Sequence, residues 1–153
     1  MLKKKIFSSN KKAYYDYEII EKFEAGIVLY GFEVKSIKNS NVSIVGGIVK
    51  IFNCEAFIYG ISIAKYKNMS NHIVNYDDKR VRKILMHKTE INKIFSKTRE
   101  KGLLVIPLEI YLHNNGKIKI LIGIAKFRKK YNKRDYLRKK DIIRDVSKFY
   151  RIK

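Results

Sequence analysis

The residues best equipped for chemistry crowd the C-terminal end. Residues 126–153, KFRKKYNKRDYLRKKDIIRDVSKFYRIK, hold 13 Lys or Arg against 3 Asp, a net +10 of the whole chain's +21. Phe127, Tyr131, Tyr136, Phe149 and Tyr150 sit among these charges. A dense cationic field neutralises phosphates, and flat side chains stack on unpaired bases. A sparse apolar stripe of Ile142, Ile143, Val146, Phe149 and Tyr150 shares one face of a helix, with Asp135 placed to cap its start. Like charges at i,i+4 and the shortness of the stripe make that helix marginal in water. The expectation is an arm that is disordered in the free protein and helical on an RNA surface.

Residue types that would break bonds are poorly arranged. His72, His87 and His113 are scattered, with no metal-ligand spacing. Cys54 is the one cysteine of the chain, which excludes an internal disulfide framework and a Cys-cluster zinc site. Its strand-like surroundings suggest a small core or edge residue. No glycine-rich phosphate loop precedes a helix. These features point to a binding protein rather than an enzyme, without cofactor or metal.

A chain of 153 residues is expected to form one domain with appendages. At 46% hydrophobic it can bury a core. The 35 basic against 14 acidic residues imply a polyanionic partner. Nucleic acid fits better than membrane, because there is no lipid-anchor pattern and no long apolar helix. The N-terminus lacks an apolar segment long enough for a secretion signal, which argues for the cytoplasm. Lys, Ile, Asn and Tyr have mostly A/T-rich codons, so placement of charge, not its total, must carry the case.

The elements that would position these groups can be read from periodicity. Residues 1–13 read as a flexible basic arm. A strand follows over 15–29, with a bulge near Gly26, and then a short helix over 32–38. Strands at 48–52 and 56–64 flank a hairpin link at 53–55, and Phe57, Tyr59, Ile61 and Ile63 fall on one face of the second. Residues 65–76 read as a loop. Asp77 or Asp78 caps a helix carrying Val81, Ile84 and Leu85 at i, i+3, i+4. Residues 89–101 continue with Ile91, Ile94 and Phe95 until Gly102, as one kinked helix or two. A strand over 103–113 has an edge or irregular point at Pro107. Asn115-Gly116 makes a tight turn, and 117–126 returns with Ile118, Ile120, Ile122 and Ile124 on one face. About six antiparallel strands with a few helices suggest a small closed sheet, because closure removes edges. The expected division is an arm at 1–13, an RNA-binding β-barrel domain at 14–125 and a basic tail at 126–153.

The stretch 17–38, YEIIEKFEAGIVLYGFEVKSIK, resembles the SsrA-binding protein (small protein B) family in its FEAG, Gly31 and EVKS runs. The likeness continues through Asn10-Lys11-Lys12-Ala13, EAFIYG at 55–60, RVRKILMHKTEI at 80–91, GIAK at 123–126 and Asn132-Lys133-Arg134. Order and spacing agree from about residue 10 to 145. The resemblance implies a mainly β fold: a closed six-stranded antiparallel barrel with OB-like character, flanked by about three helices, with a basic C-terminal tail. It implies a bacterial ribosome-rescue adaptor that binds transfer-messenger RNA (SsrA, 10Sa RNA) and delivers it to stalled ribosomes for trans-translation. The barrel would grip the tRNA-like part of the RNA. The tail would occupy the empty mRNA channel and the small-subunit decoding region. Elongation factor Tu and alanyl-tRNA synthetase would be met indirectly, through the RNA, by a monomer without membrane contact. A ribosomal structural protein or a general RNA-binding barrel protein is the alternative.

The resemblance also names residues. Glu24 matches an RNA contact, where a carboxylate can accept hydrogen bonds from base amino groups or a 2′-OH. Lys119 matches a cationic contact, with Lys117 as alternate. Leu85 matches an apolar contact but would equally suit a core. Asn10, Lys11, Lys38, Arg82 and Lys83 are expected near phosphate, and Tyr17 either stacks or fills the barrel. In the tail Arg128, Lys129, Tyr131, Lys133 and Arg134 match ribosome-binding positions. Phe127 stands where the family usually has Gly, Asn132 replaces a usual Asp, and Val45-Gly46-Gly47-Ile48 departs from a polar-then-aromatic pattern.

Overall fold

The computed structural model describes residues 4–66, 75–100, 102–128 and 140–144. Its elements run β1 (Lys5–Ser9), α1 (Lys11–Asp16), β2 (Tyr17–Ile27), α2 (Gly31–Lys38), β3 (Val42–Ser43), β4 (Ile48–Phe52), β5 (Glu55–Tyr59), β6 (Ser62–Ile63), β7 (Arg82–Leu85), α3 (Lys88–Thr98), β8 (Leu103–Leu112) and β9 (Ile118–Phe127). Seven strands form one antiparallel sheet in the order β1-β8-β4-β5-β7-β2-β9, and β8 also pairs with β9. Following the pairings from β8 through β4, β5, β7, β2 and β9 therefore leads back to β8. β1 adds to β8 outside that circuit, and β3 and β6 form a separate two-stranded ribbon. The chain is mainly β with a few helices, as its alternation implies.

Two bulges explain how one apolar alternation serves two cores. In β2 the register slips between Ile19 and Glu21. Tyr17 and Ile19 belong to a small cluster with Ala13, Ile106, Leu108 and Phe127. Past the slip, Phe23, Ala25 and Ile27 enter the main core. In β8 the slip falls between Pro107 and Glu109. Leu104, Ile106 and Leu108 pack in the small cluster, whereas Ile110 and Leu112 pack with the main one. Each bulge inserts one residue and so reverses the faces of everything after it. Pro107 is thus the irregular point its missing N–H demands. The bulge expected at Gly26 lies instead around Ile20.

Within the arm expected at 1–13, residues 5–9 form β1 and 11–13 open α1. β1 pairs with β8, Phe7 is buried in the main core, and Asn10 caps α1. The expected helix over 81–85 is instead strand β7. Val81, Ile84 and Leu85 suit helical spacing, but β7 pairs with β5 on one side and β2 on the other. Two sets of main-chain hydrogen bonds outweigh a short local periodicity. The helix begins at Lys88, where the Glu90 carboxylate accepts the His87 N–H at 3.3 Å. Phe57 and Tyr59 do not share a face with Ile61 and Ile63. Gly60, at φ +79°, breaks the run, and Ala56 and Ile58 face the main core before it, Ile61 and Ile63 after it. Cys54 is exposed in the β4–β5 turn, where it and Asn53 both take positive φ, as two-residue hairpins favour. Helix α2, the 53–55 hairpin, the Asn115-Gly116 turn and the inward Ile118–Ile124 series lie where periodicity puts them. Residues 65–66 and 75–76 are neither helix nor strand, and the middle of that expected loop lies outside the described residues. No helix among the described residues is long and apolar enough to cross a membrane.

Candidate nucleic-acid interface

The outer face of β7, β2 and β9 gathers groups from three separate stretches of sequence. Gly26 pairs with Leu85 of β7 and with Lys119 of β9, and Glu24 pairs with Leu121. Cross-strand partners project to the same side. Leu85 and Lys119 therefore flank Gly26, and Glu24 stands two residues along the same strand and face. Gly26 has no side chain to fill the space between them; a Cβ there would lie 3.4 Å from the Leu85 Cβ. The β2 bulge turns Glu24 and Gly26 outward, and the β8 bulge turns Tyr111 and His113 to the same side.

Glu24 is held from beneath. The Tyr111 hydroxyl donates to Glu24 Oε2, and His113 Nε2 lies 3.8 Å from Oε1. Burial pushes the Tyr111 hydroxyl well above its ordinary pKa, and the Glu24 hydrogen bond and charge add to the rise. The ring is covered by Lys4, whose ammonium lies 4.2 Å from its centroid. Leu85 is 53% exposed, so this apolar side chain faces solvent rather than the core. Lys119 is half-buried. An oriented acceptor, an open apolar surface and a cation around a bare glycine can together recognise a sugar edge or a base amino group beside phosphate.

Other expected contacts fall elsewhere. Asn10 is buried: its side chain accepts from the Ala13 N–H at 3.2 Å and donates to the Pro107 carbonyl at 3.0 Å. It is a helix cap, not a phosphate ligand. Tyr17 is buried and packs on Phe127 at 4.7 Å between ring centroids, so it fills the small cluster. Arg82 is fully buried, because alternation along β7 points Lys83 and Leu85 outward and Arg82 and Ile84 inward. Lys83 shares the outer face but pairs with Glu55 at 3.2 Å. Lys11 and Lys38 are exposed on α1 and α2, outside the Glu24 cluster. Arg128 is exposed and donates to the carbonyls of Tyr17 and Tyr14 at 3.2 and 3.3 Å. Lys129, Tyr131, Lys133 and Arg134 lie outside the described residues. Residues 140–144 form a helical turn, and the Ile143 carbonyl accepts from Lys50 Nζ at 3.2 Å. Among the described residues no group of three or more His, Cys, Asp or Glu could hold a metal ion.

One cluster was not legible in the sequence. Glu33, buried on α2, accepts from Arg82 Nε and Nη2 at 2.8 and 2.6 Å, from Arg80, and from the Tyr76 hydroxyl at 2.9 Å. Burial alone would raise the Glu33 carboxyl, but hydrogen bonds from Arg80, the Tyr30 N–H and Arg82 outweigh it and hold it below the usual carboxylate range. Tyr76 is pushed up to about 12, by burial first and then by its hydrogen bond to Glu33. Its ring packs edge-on against Phe32, so the cluster ties α2 to β7 and to the chain leading into it.

The family model described as SmpB protein matches residues 7–152. The chain belongs to the SmpB family. It is 48% identical to the SsrA-binding protein of Persephonella marina, over 96% of this chain and 95% of that one. Against the SsrA-binding protein of Carboxydothermus hydrogenoformans it is 45% identical, over 96% and 97%. The Enterococcus faecalis SsrA-binding protein matches at 42% identity, over 94% and 92%. A solved structure described as "tmRNA-SmpB: a journey to the center of the bacterial ribosome" has a TM-score of 0.67 at 39% identity, covering 82% of this chain and 86% of that chain. Within this SmpB-family chain the match spans both the Glu24 face and the basic end, 126–152.

Proposed function

We propose that the chain is a ribosome-rescue adaptor that binds transfer-messenger RNA and brings it to stalled bacterial ribosomes for trans-translation. The circuit of pairings from β8 back to β8 supports reading the sheet as a closed six-stranded barrel of OB-like character. Its β7–β2–β9 face, with Glu24, Leu85 and Lys119, contacts the tRNA-like part of the RNA. Recognition there is by shape, 2′-OH and base-edge contacts more than by sequence. The basic end, from Lys126 onward, enters the vacant mRNA channel and the decoding region, where its cationic residues meet ribosomal RNA. The adaptor works in the cytoplasm and catalyses no bond change.

The observation that carries this reading is convergence. Three segments distant in sequence meet around Gly26 with an acceptor, an apolar surface and a cation. The test is to purify the tagged protein from cells and sequence the RNA it retains. Enrichment of a tRNA-mimicking transcript, with ribosome association dependent on that transcript, is expected. Stoichiometric presence on every ribosome, independent of it, would refute the adaptor reading in favour of a ribosomal structural protein.

A further inference from the structure

We propose that Tyr111 is a positioning residue for RNA recognition: its buried hydroxyl fixes one oxygen of the Glu24 carboxylate, which leaves the other presented to donor groups of structured RNA. The inference rests on the reading of Glu24 as an RNA contact and assigns the residue through which that contact is made specific.

The geometry is unusual for an outward-facing position. Tyr111 lies on β8 and Glu24 on β2, and β9 runs between them, pairing Tyr111 with Lys119 and Glu24 with Leu121. Neighbouring strands are about 4.8 Å apart, so the hydroxyl must reach across roughly 9.6 Å of sheet. The side chain therefore lies along the outer face rather than standing off it. That is why a residue on this face is fully buried, with Lys4 above its ring.

The consequence falls on Glu24. Its side chain is 43% exposed, and an exposed glutamate ordinarily samples several rotamers. Here Oε2 accepts the Tyr111 hydroxyl, which reaches it from a strand of the same sheet, so the carboxylate plane is set by the sheet. Oε1 takes no part in that bond, and His113 Nε2 lies 3.8 Å from it. A carboxylate in a fixed orientation discriminates between donors that fit and donors that do not, whereas a freely turning one offers only charge. The raised ionisation of Tyr111 keeps it a donor at every physiological pH.

The test is a double-mutant cycle on the full chain, read by fluorescence anisotropy with a transcript of the tRNA-like RNA domain. Tyr111→Phe keeps the ring and leaves Glu24 in contact with water, so folding is preserved; melting curves check this, and binding is read at a temperature where all variants are folded. At pH 7.5, Tyr111→Phe should weaken binding by a factor of about 5, with the slope of log K against log salt unchanged. Glu24→Ala should weaken it at least as much, and the double variant should bind like Glu24→Ala alone. A merely structural tyrosine would instead give losses that multiply in the double variant, and that result overturns the proposal. So does wild-type affinity for Tyr111→Phe while Glu24→Ala is impaired, and this outcome leaves the reading of Glu24 standing. Wild-type affinity for Glu24→Ala would remove both.

Discussion

Replacing Arg82 with Met should damage the fold and leave the charge dependence of RNA binding alone. The guanidinium is fully buried and gives two N–H bonds to Glu33, at 2.8 and 2.6 Å. It gives three more, each at 3.0 Å, to the Arg80 carbonyl, the Asp78 carbonyl and the Tyr76 hydroxyl. Met fills much of the volume but donates nothing. Breaking a buried ion pair costs about 3–5 kcal/mol. Glu33 would retain Arg80, Tyr76 and the Tyr30 N–H, so the lower half of that range applies. A loss of about 3–4 kcal/mol is a large share of a total near 5–15 kcal/mol. It corresponds to a melting point lower by roughly 6–16 °C for a chain of this size. Urea unfolding should show a lower midpoint at unchanged m-value. The acid limb supplies an independent handle. Glu33 is held below its ordinary value, so in acid the folded state binds fewer protons than the unfolded one. Its contribution to stability is complete above the unfolded value, about 4.3, and is lost as pH falls through the folded one. Arg82→Met removes donors that favour the carboxylate, so acid unfolding should begin at higher pH. Refutation would be a cost under about 1 kcal/mol together with an RNA salt slope reduced by about 1, the mark of an exposed phosphate contact.

Other substitutions separate the roles assigned to the outer face and the tail. Lys119→Ala should reduce the salt slope of RNA binding by roughly 1, and an unchanged slope would place Lys119 away from phosphate. Leu85→Ala should weaken binding to the tRNA-like domain while changing stability by less than about 0.5 kcal/mol, because the side chain is already exposed; a large drop in melting point would mean it packs in the fold. Reversing the charges of Arg128 and Lys129 should spare RNA binding by the body and abolish tagging on stalled ribosomes; lost RNA binding would show the labour is divided differently. Tyr76 should ionise near 12, so its contribution to stability is complete below the unfolded value of about 10 and is lost as pH rises through about 12. Tyr76→Phe should flatten the alkaline unfolding limb over that window. Gly26→Ala should raise stability by a few tenths to 1 kcal/mol, since a strand glycine is entropically costly, yet weaken RNA binding by filling the floor between Leu85 and Lys119; unchanged binding would mean RNA does not lie over Gly26.

Alternation exposed most strands because each has one dry face, but it could not say which face was dry. The series Leu104 to Leu112 reads as one apolar side, and the slip after Pro107 divides it between two cores. Pro107 was the one signal for that slip. The slip at Ile20 had none, because both neighbours look like ordinary strand residues. Arg82 and Asn10 illustrate another limit. A polar residue near the likeness of an RNA-binding motif reads as a ligand, and only the pairings of β7 and the cap of α1 show that these two point inward. The resemblance names Glu24, Leu85 and Lys119 separately, but their meeting around Gly26 depends on β2 lying between β7 and β9. That Tyr111 and His113 would stand beside Glu24 was not legible, because their outward direction follows from the Pro107 slip.

The Glu24 face also resolves an oddity of composition. A chain with net charge +21 has no shortage of groups that attract phosphate, so attraction cannot be what limits its choice of RNA. Every polyanion benefits from surplus lysine, and an added cation strengthens wrong partners nearly as much as the right one. Discrimination needs groups that cost something when mismatched: a carboxylate that repels a phosphate placed over it, an apolar side chain that rejects a charged group, and a glycine whose open floor admits close approach only in one register. Glu24, Leu85 and Gly26 are those three kinds of residue, and they sit together. Cations such as Lys119 then supply affinity around a centre whose character is exclusion. On the proposed reading of this face, the acidic residue at its middle is the part that selects, and the surrounding positive charge is the part that holds.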